Sequence, residues 1–258
     1  MTSAISSLQM INRNLARSQA MTAADPQVKR DTTYYLAHIK TITSAKQLVG
    51  DYRLLSYATQ AFGLSDMTYA KAFLEKVMEG GIANPKSMAH HLSDPRFRAF
   101  AAAFNFGDKG ATATADAAGA SAVVARYVEQ TLEDNVGRQN AGAQLALYFQ
   151  RQAPYIKNGL EILADKALFQ FVQTAFDIAT PSNGTSVETD AKHIESKVEI
   201  SDLQDPAKVQ KLVMRFAAMW DLKNSNPAAS NPAVSILSGS GTRTTRSIVD
   251  VTKIYSQS

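Results

Sequence analysis

The chain of 258 residues contains no cysteine. Disulfides, zinc–thiolate sites and cysteine nucleophiles are therefore excluded. That absence suits the cytosol, and equally a protein that leaves the cell unfolded and must not cross-link on the way. Long apolar runs are missing too. The longest fall far below the roughly 20 residues needed to span a bilayer, so no membrane insertion is expected. The N-terminus, MTSAISSLQMINRNLARSQAM, lacks the charged start and apolar run of a secretory signal peptide. The expectation is a soluble protein, cytoplasmic or exported by a dedicated machine without a cleaved signal.

Charge of one sign is also scarce. The 27 basic and 23 acidic side chains leave +4, spread along the chain. A nucleic-acid binder would show a clustered basic patch, so no nucleic-acid partner is expected. Of the four histidines, His90 and His91 are adjacent. On a helix they point about 100° apart and do not chelate one metal easily. His38 and His193 have no ligand-spaced companions, so no metal site is expected. Phosphate-loop, dinucleotide, nucleophile-elbow and HExxH patterns are absent. SGSGT, from Ser238, is Gly-rich without a strand–helix frame. The carboxylates Asp66, Glu75, Glu79, Asp94, Glu129, Glu133 and Asp134 fall at helix starts or on polar faces, as caps and solvated pairs. Neither catalytic residues nor a cofactor are expected.

What is present is helical patterning, with 45% hydrophobic and 19% charged residues and hence a sizeable core. Ile5, Leu8, Ile11 and Leu15 share one side of an N-terminal helix within residues 1–25. That face either docks on its own domain or pairs with a partner helix. Residues 26–43 are open between an extended linker and a short helix. Ser44 and Gln47 fit a capping box, and a stripe from Leu48 to Phe62 ends at Gly63. Ser65-Asp66 opens a helix with Tyr69, Phe73, Val77 and Met78 on one face. Asn84-Pro85 caps a short helix holding His90 and His91.

In LSDPRFRAFAAAFNFG, Asp94 is an N-cap and Pro95 the first helical residue. Phe97, Phe100, Ala101 and Phe104 take the spacing of a buried face, with Gly107 as the stop. Arg96 and Arg98 snorkel from the rim of that core. A linker from 108 to 119 leads into a long helix ended by Pro154, with a kink or break marked by Gly137 and Gly142.

The chain also repeats itself. DYRLLSYATQAFGL from Asp51 aligns without a gap on DKALFQFVQTAFDI from Asp165. LEKVME from Leu74 is echoed by IESKVE from Ile194, and FAAAF from Phe100 by FAAMW from Phe216. Asp94-Pro95 and Asp205-Pro206 precede the last pair. Three echoes in one order predict a twofold helical repeat.

The expected fold is all-α and multi-helical: two related helical units joined by a long central helix, with a flexible C-terminal tail. The expected segments are an amphipathic helix (1–25), a first unit (26–110), the linker and central helix (111–154), a second unit (155–222) and a polar tail (223–258). The tail carries Val234, Ile236 and Leu237, then Ile248, Val249, Val251 and Ile254. These either dock on the domain or bind a partner, SIVDVTKIYS having the alternation of an added strand. The expected partner-binding residues are thus Ile5, Leu8, Ile11, Leu15, Ile248, Val249, Val251 and Ile254.

From about residue 1 to 222 the chain resembles a bacterial family of unknown function numbered 1217. The carrying segments are KRDTTYYLAHIKTITSAKQLVGDYRLLSYATQAFGLSDMTYAKAFLEKVMEGG, SDPRFRAFAAAFNFG, LALYFQRQAP, EILADKALFQFVQTAF and DPAKVQKLVMRF. The resemblance implies association with flagella, with no established activity and no functional residues to carry over. SSLQMINRNLARSQA is similar to the amphipathic termini of flagellar axial proteins. The expectation is a non-enzymatic protein of flagellar structure, export or assembly with flagellar protein partners. The alternative is an enzyme or small-molecule binder with a site between the two units.

Overall fold

Three Asp-Pro pairs start helices here. In the computed structural model, which describes residues 3–178 and 186–224, Asp25 accepts from the amides of Gln27 (2.8 Å) and Val28 (3.3 Å). Asp94 accepts from Arg96 N (2.9 Å) and Asp205 from Ala207 N (2.8 Å). Each carboxylate satisfies first-turn amides, and each proline takes the position where its missing N–H costs nothing.

The helices run α1 Ala4–Arg13, α2 Leu15–Ala24, α3 Pro26–His38, α4 Ala45–Gly50, α5 Tyr52–Ala61, α6 Lys71–Glu79, α7 Met88–His91 and α8 Pro95–Ala103. Then come α9 Phe106–Lys109, α10 Ala117–Gly137, α11 Ala141–Gln152, α12 Gly159–Ala164, α13 Lys166–Phe176, α14 Val187–Glu195 and α15 Pro206–Asn224. The described residues contain no strand, and no helix among them is long and apolar enough to cross a membrane.

A constant offset of 114 residues carries one stretch of this chain onto another, from Pro26–Leu64 to Asn140–Ile178. Helix α3 falls on α11, the 3-10 turn Ile39–Thr41 on Ala153–Tyr155, α4 on α12 and α5 on α13. Details follow the same offset. Ser44 accepts from Gln47 N (3.2 Å), while Gln47 Oε1 accepts from Thr43 N (2.7 Å). In the second copy Asn158 accepts from Glu161 N (3.0 Å), and Glu161 Oε2 accepts from Lys157 N (2.9 Å). The predicted capping box is therefore shifted: the N3 side chain reaches the amide before the cap. Gly63 (φ +67°) and Asp177 (φ +52°) both end their helices in the left-handed conformation.

The second copy begins at Asn140, not at residue 155, because the expected central helix is two helices. α10 stops at Gly137, and Asn140 caps α11 by accepting from Ala143 N (2.9 Å). The later echoes do not hold in register. Leu74 lies mid-way along α6, whereas Ile194 is the penultimate residue of α14. Phe100 stands six residues after Asp94, Phe216 eleven after Asp205.

Of the two readings of residues 26–43 a helix is realised, over Pro26–His38. Other expectations are corrected. Ser65–Met67 is only a 3-10 turn, α6 starts at Lys71, and Tyr69 is 82% exposed. Ser87, not Asn84, precedes α7, and Asn84 closes the turn by accepting from Lys86 N. Gly107 is no helix stop. It lies inside α9, where a Cβ would meet Glu79 O at 2.4 Å and Gly81 N at 2.5 Å.

Each copy has its own core. The first gathers Tyr35, Leu48, Leu54, Val77, Phe100 and Phe104 with Val123 and Tyr127 of α10. The four predicted phenylalanine-helix positions, Phe97, Phe100, Ala101 and Phe104, are all buried. The second core gathers Phe149, Ile162, Leu168, Phe171, Val213 and Phe216. Phe171 stacks between Phe149 (centroids 3.7 Å) and Phe216 (4.3 Å).

Candidate functional site

The N-terminal face is settled by burial. Leu8 (0% exposed) and Ile11 (7%) belong to the second core, with Ile5 and Leu15 packed against it. Asp221 of α15 accepts from Ala4 N (2.7 Å) and Ile5 N (3.1 Å), capping α1. Of the two alternatives, docking on its own domain is realised, which corrects Leu8 and Ile11 as partner contacts. Ile248, Val249, Val251 and Ile254 lie outside the described residues, as do Val234, Ile236 and Leu237.

The structure also opens a cleft of about 480 Å³ between the copies. The first copy supplies Gly63, and the start of α8 supplies Asp94 and Arg96. α10 supplies Gln130 and Glu133, and the second copy supplies Tyr148, Asp165 and Lys166 among others. Its polar groups are tied to one another. Arg96 donates to both Asp94 oxygens, from Nε (3.1 and 2.9 Å) and Nη2 (2.7 Å), and from Nη1 to the Gly63 carbonyl. Burial would lower the Arg96 pKa, but Asp94 outweighs it and the guanidinium is held above its ordinary value.

Arg151 clamps Glu133 with two bonds, Nε to Oε1 (2.6 Å) and Nη2 to Oε2 (2.9 Å). Only 5% of the Glu133 side chain is exposed. Burial pushes this carboxyl above the usual range, while Arg151 pulls against the shift. Such a pair survives burial because it is charge-assisted and bidentate. Asp134 accepts from three glutamine amides: Gln60 (2.6 Å) in the first copy, Gln130 (3.0 Å) on α10 and Gln144 (3.2 Å) in the second. One carboxylate thus joins both copies to the helix between them.

The Tyr148 hydroxyl donates to Asp165, which also caps α13 by accepting from Ala167 N (2.8 Å) and Leu168 N (3.1 Å). Burial, reinforced by Asp165, raises the Tyr148 pKa well above its ordinary value, so the phenol stays a donor. The first copy repeats this arrangement at the 114 offset. Tyr34 donates to Asp51 (2.8 Å), which caps α5 through Arg53 N (2.9 Å) and Leu54 N (3.0 Å). There the cleft is smaller, about 290 Å³. Arg53 covers it, 3.8 Å from the Tyr34 ring centroid and 3.7 Å from Asp31.

Sequence reasoning missed most of this. Arg96 was expected at the core rim and turns inward to Asp94 and Gly63. Glu133 was expected on a solvated face and is buried. The signal existed: Val123, Tyr127, Gln130 and Glu133 follow helical spacing, and all four are buried. The Tyr148–Asp165 pair was legible from Tyr34 and Asp51 once the repeat was extended upstream. Among the described residues, no group of three or more His, Asp or Glu is placed to hold a metal.

A family model described as "Protein of unknown function (DUF1217)" matches residues 61–209. The chain is similar to a crystal structure of protein AGR_C_984 from Agrobacterium tumefaciens. Identity is 40%, covering 87% of this chain and 98% of that one, with a TM-score of 0.81. No curated protein matches.

Proposed function

The chain belongs to the DUF1217 family, and from that premise we propose that it is a non-enzymatic, flagellum-associated protein. It acts in flagellar structure, export or assembly through contacts with flagellar proteins, either in the cytoplasm or after export. The association with flagella that the family implies carries this reading. The junction geometry is in keeping with it: Arg96, Glu133, Arg151, Tyr148 and Asp165 are each engaged by an intramolecular partner. Groups held this way act as ties between helices, whereas acid–base catalysis needs a titrating group free to reach a substrate proton. The test is deletion of the gene followed by assays of filament assembly and swimming, with complementation. Unchanged assembly and swimming would refute the proposal.

A second reading has one observation in its favour. The cleft of about 480 Å³ is large enough for a small molecule. Lys166 and Gln170 line it, and neither side chain makes a hydrogen bond within the described residues. A small-molecule ligand seated there would raise the melting temperature of the wild type and not of a Lys166→Ala/Gln170→Ala variant.

A further inference from the structure

A second depression lies beside the junction, on the other flank of Arg96. It measures about 360 Å³ and is bounded by α8, α10 and the stretch from the end of α11 into α12. A neighbouring depression of about 450 Å³ shares Arg126, Arg151 and Tyr155 with it, so the two form one groove on either side of Tyr155. The first has an apolar floor, including Phe62, Ala99 and Ala102. Leu15, Leu132 and Leu147 continue that character in the second.

Above the first depression the charge is mostly positive, whereas Glu129 and Glu133 line the second. Arg96 and Arg151 face the first depression but are neutralised by Asp94 and Glu133. Arg98, Arg126 and Lys157 have no carboxylate partner among the described residues. The Arg126 guanidinium sits over the Phe62 ring, 5.2 Å from its centroid. The single acid lining that depression, Glu161, is already held by the Lys157 amide. Cations over an apolar floor complement a segment that carries carboxylates beside apolar side chains.

We propose that this groove binds an acidic, amphipathic helical segment of a partner protein, with Arg98 and Arg126 as its charge-reading residues. The inference rests on the proposed contact role and gives that role a surface. Charge selects this occupant over others. The chain's own tail brings Arg243, Arg246 and Lys253 against only Asp250, and a second copy brings a net charge of +4. Of the rings in the groove Phe62 is 4% exposed and Tyr155 63%, so one tyrosine is offered, fewer than the successive rings on which the bases of a single-stranded nucleic acid stack.

The test uses the full chain and a fluorescein-labelled synthetic peptide with leucines at helical spacing and glutamates between them. Fluorescence anisotropy should show saturable binding that weakens with added salt. Binding should fall about tenfold in Arg98→Glu and further in Arg98→Glu/Arg126→Glu, as expected for reversal of charges at an interface. Lys71→Glu, an exposed cation outside the groove, should leave affinity unchanged. Arg98 is exposed, so the single variant keeps its thermal transition and remains readable if the double variant does not fold.

Equal affinity in Arg98→Glu overturns the proposal, as does equal binding of a peptide with lysine in place of glutamate. An oligonucleotide that binds as tightly and loses affinity in the same variant overturns it in favour of nucleic acid. A dimer in sedimentation that Arg98→Glu dissolves overturns it in favour of a second copy. Peptide binding with normal swimming in the deletion strain would keep the groove and remove the flagellar role. Lost swimming without peptide binding would do the reverse.

Discussion

The two copies share their frame and differ in how each cleft is closed. In both, a tyrosine on the first helix donates to the aspartate that caps the third: Tyr34 to Asp51, and Tyr148 to Asp165. In the first copy the neighbourhood is self-contained, with Arg53 stacked on Tyr34 and facing Asp31. At the equivalent positions the second copy has Ala167 and Leu145. Without that arginine the cleft is about 480 rather than about 290 Å³, and Arg96 comes in from α8 instead. A duplicated unit has kept its internal capping geometry and replaced a local cation by one from α8, outside the repeat. The junction is thereby part of the second copy's own structure.

The largest expected effect tests whether the two cores unfold together. Phe171 is fully buried between two rings in the second core, and Phe100 fully buried among rings in the first. Phe171→Ala and Phe100→Ala should each cost about 3–5 kcal/mol. Because residues through Asp221 form one unit, each variant should lower a single transition in calorimetry. Two separated transitions in Phe171→Ala would mean that the junction ties do not couple the copies.

The buried pair at the junction comes next. Glu133→Gln leaves the Arg151 charge without its partner and should cost about 3 kcal/mol. Glu133→Leu combined with Arg151→Met removes both charges and should recover most of that loss in chemical denaturation. If the double variant were no more stable than the single one, the pair would be contributing more than relief of an unpaired charge.

The tyrosine pairs then separate the copies. Tyr148→Phe removes a buried hydrogen bond to a carboxylate and should cost about 2 kcal/mol. Tyr34→Phe should cost less, because solvent competes there. Asp51 carries the first copy's acid sensitivity. Burial alone would raise its pKa, but the amides of Leu54 and Arg53 and the Tyr34 hydroxyl outweigh it, so the carboxyl is held below its ordinary value of 3.8. Its contribution is present above that value and is lost as pH falls through the lowered pKa. Asp51→Asn should therefore flatten the acid limb of a stability–pH curve, and an unaltered limb would place the sensitivity elsewhere.

How far the sequence reached depended on whether the relevant signal was local. The all-α class, the Phe97–Phe104 face and the match of residues 51–64 to 165–178 rest on spacing within a helix, and all three agree with the structure. Residues 26–43 stay open between linker and helix in the sequence, although Asp25-Pro26 is the same start signal as Asp94-Pro95. Gly107 was misread because its reason is a close approach by Glu79 and Gly81, which no local pattern announces. The junction ties join residues far apart in the chain. Of these, Tyr148–Asp165 leaves a trace as a repeat of Tyr34–Asp51, and the burial of Glu133 leaves one in the spacing of Val123, Tyr127, Gln130 and Glu133.

The smallest expected effect concerns one residue of backbone. Gly63 and Asp177 occupy equivalent left-handed positions, so the fold requires this conformation twice and uses glycine once. At Asp177 the chain tolerates the strain that a side chain brings. At Gly63 tolerance should be lower, because a Cβ would sit 3.2 Å from Gln130 Oε1, tighter than ordinary contact, and 3.8 Å from Arg96 Nη1. Gln130 is itself held by Asp134 and Arg151, so it cannot yield without loosening the junction. Gly63→Ala should therefore cost about 1–2 kcal/mol, from the left-handed penalty together with the crowding. If strain alone were responsible, Gly63→Ala in a Gln130→Ala background would cost the same. If crowding contributes, the cost should shrink once the glutamine is gone, and thermal melts of the double-mutant cycle would measure the difference.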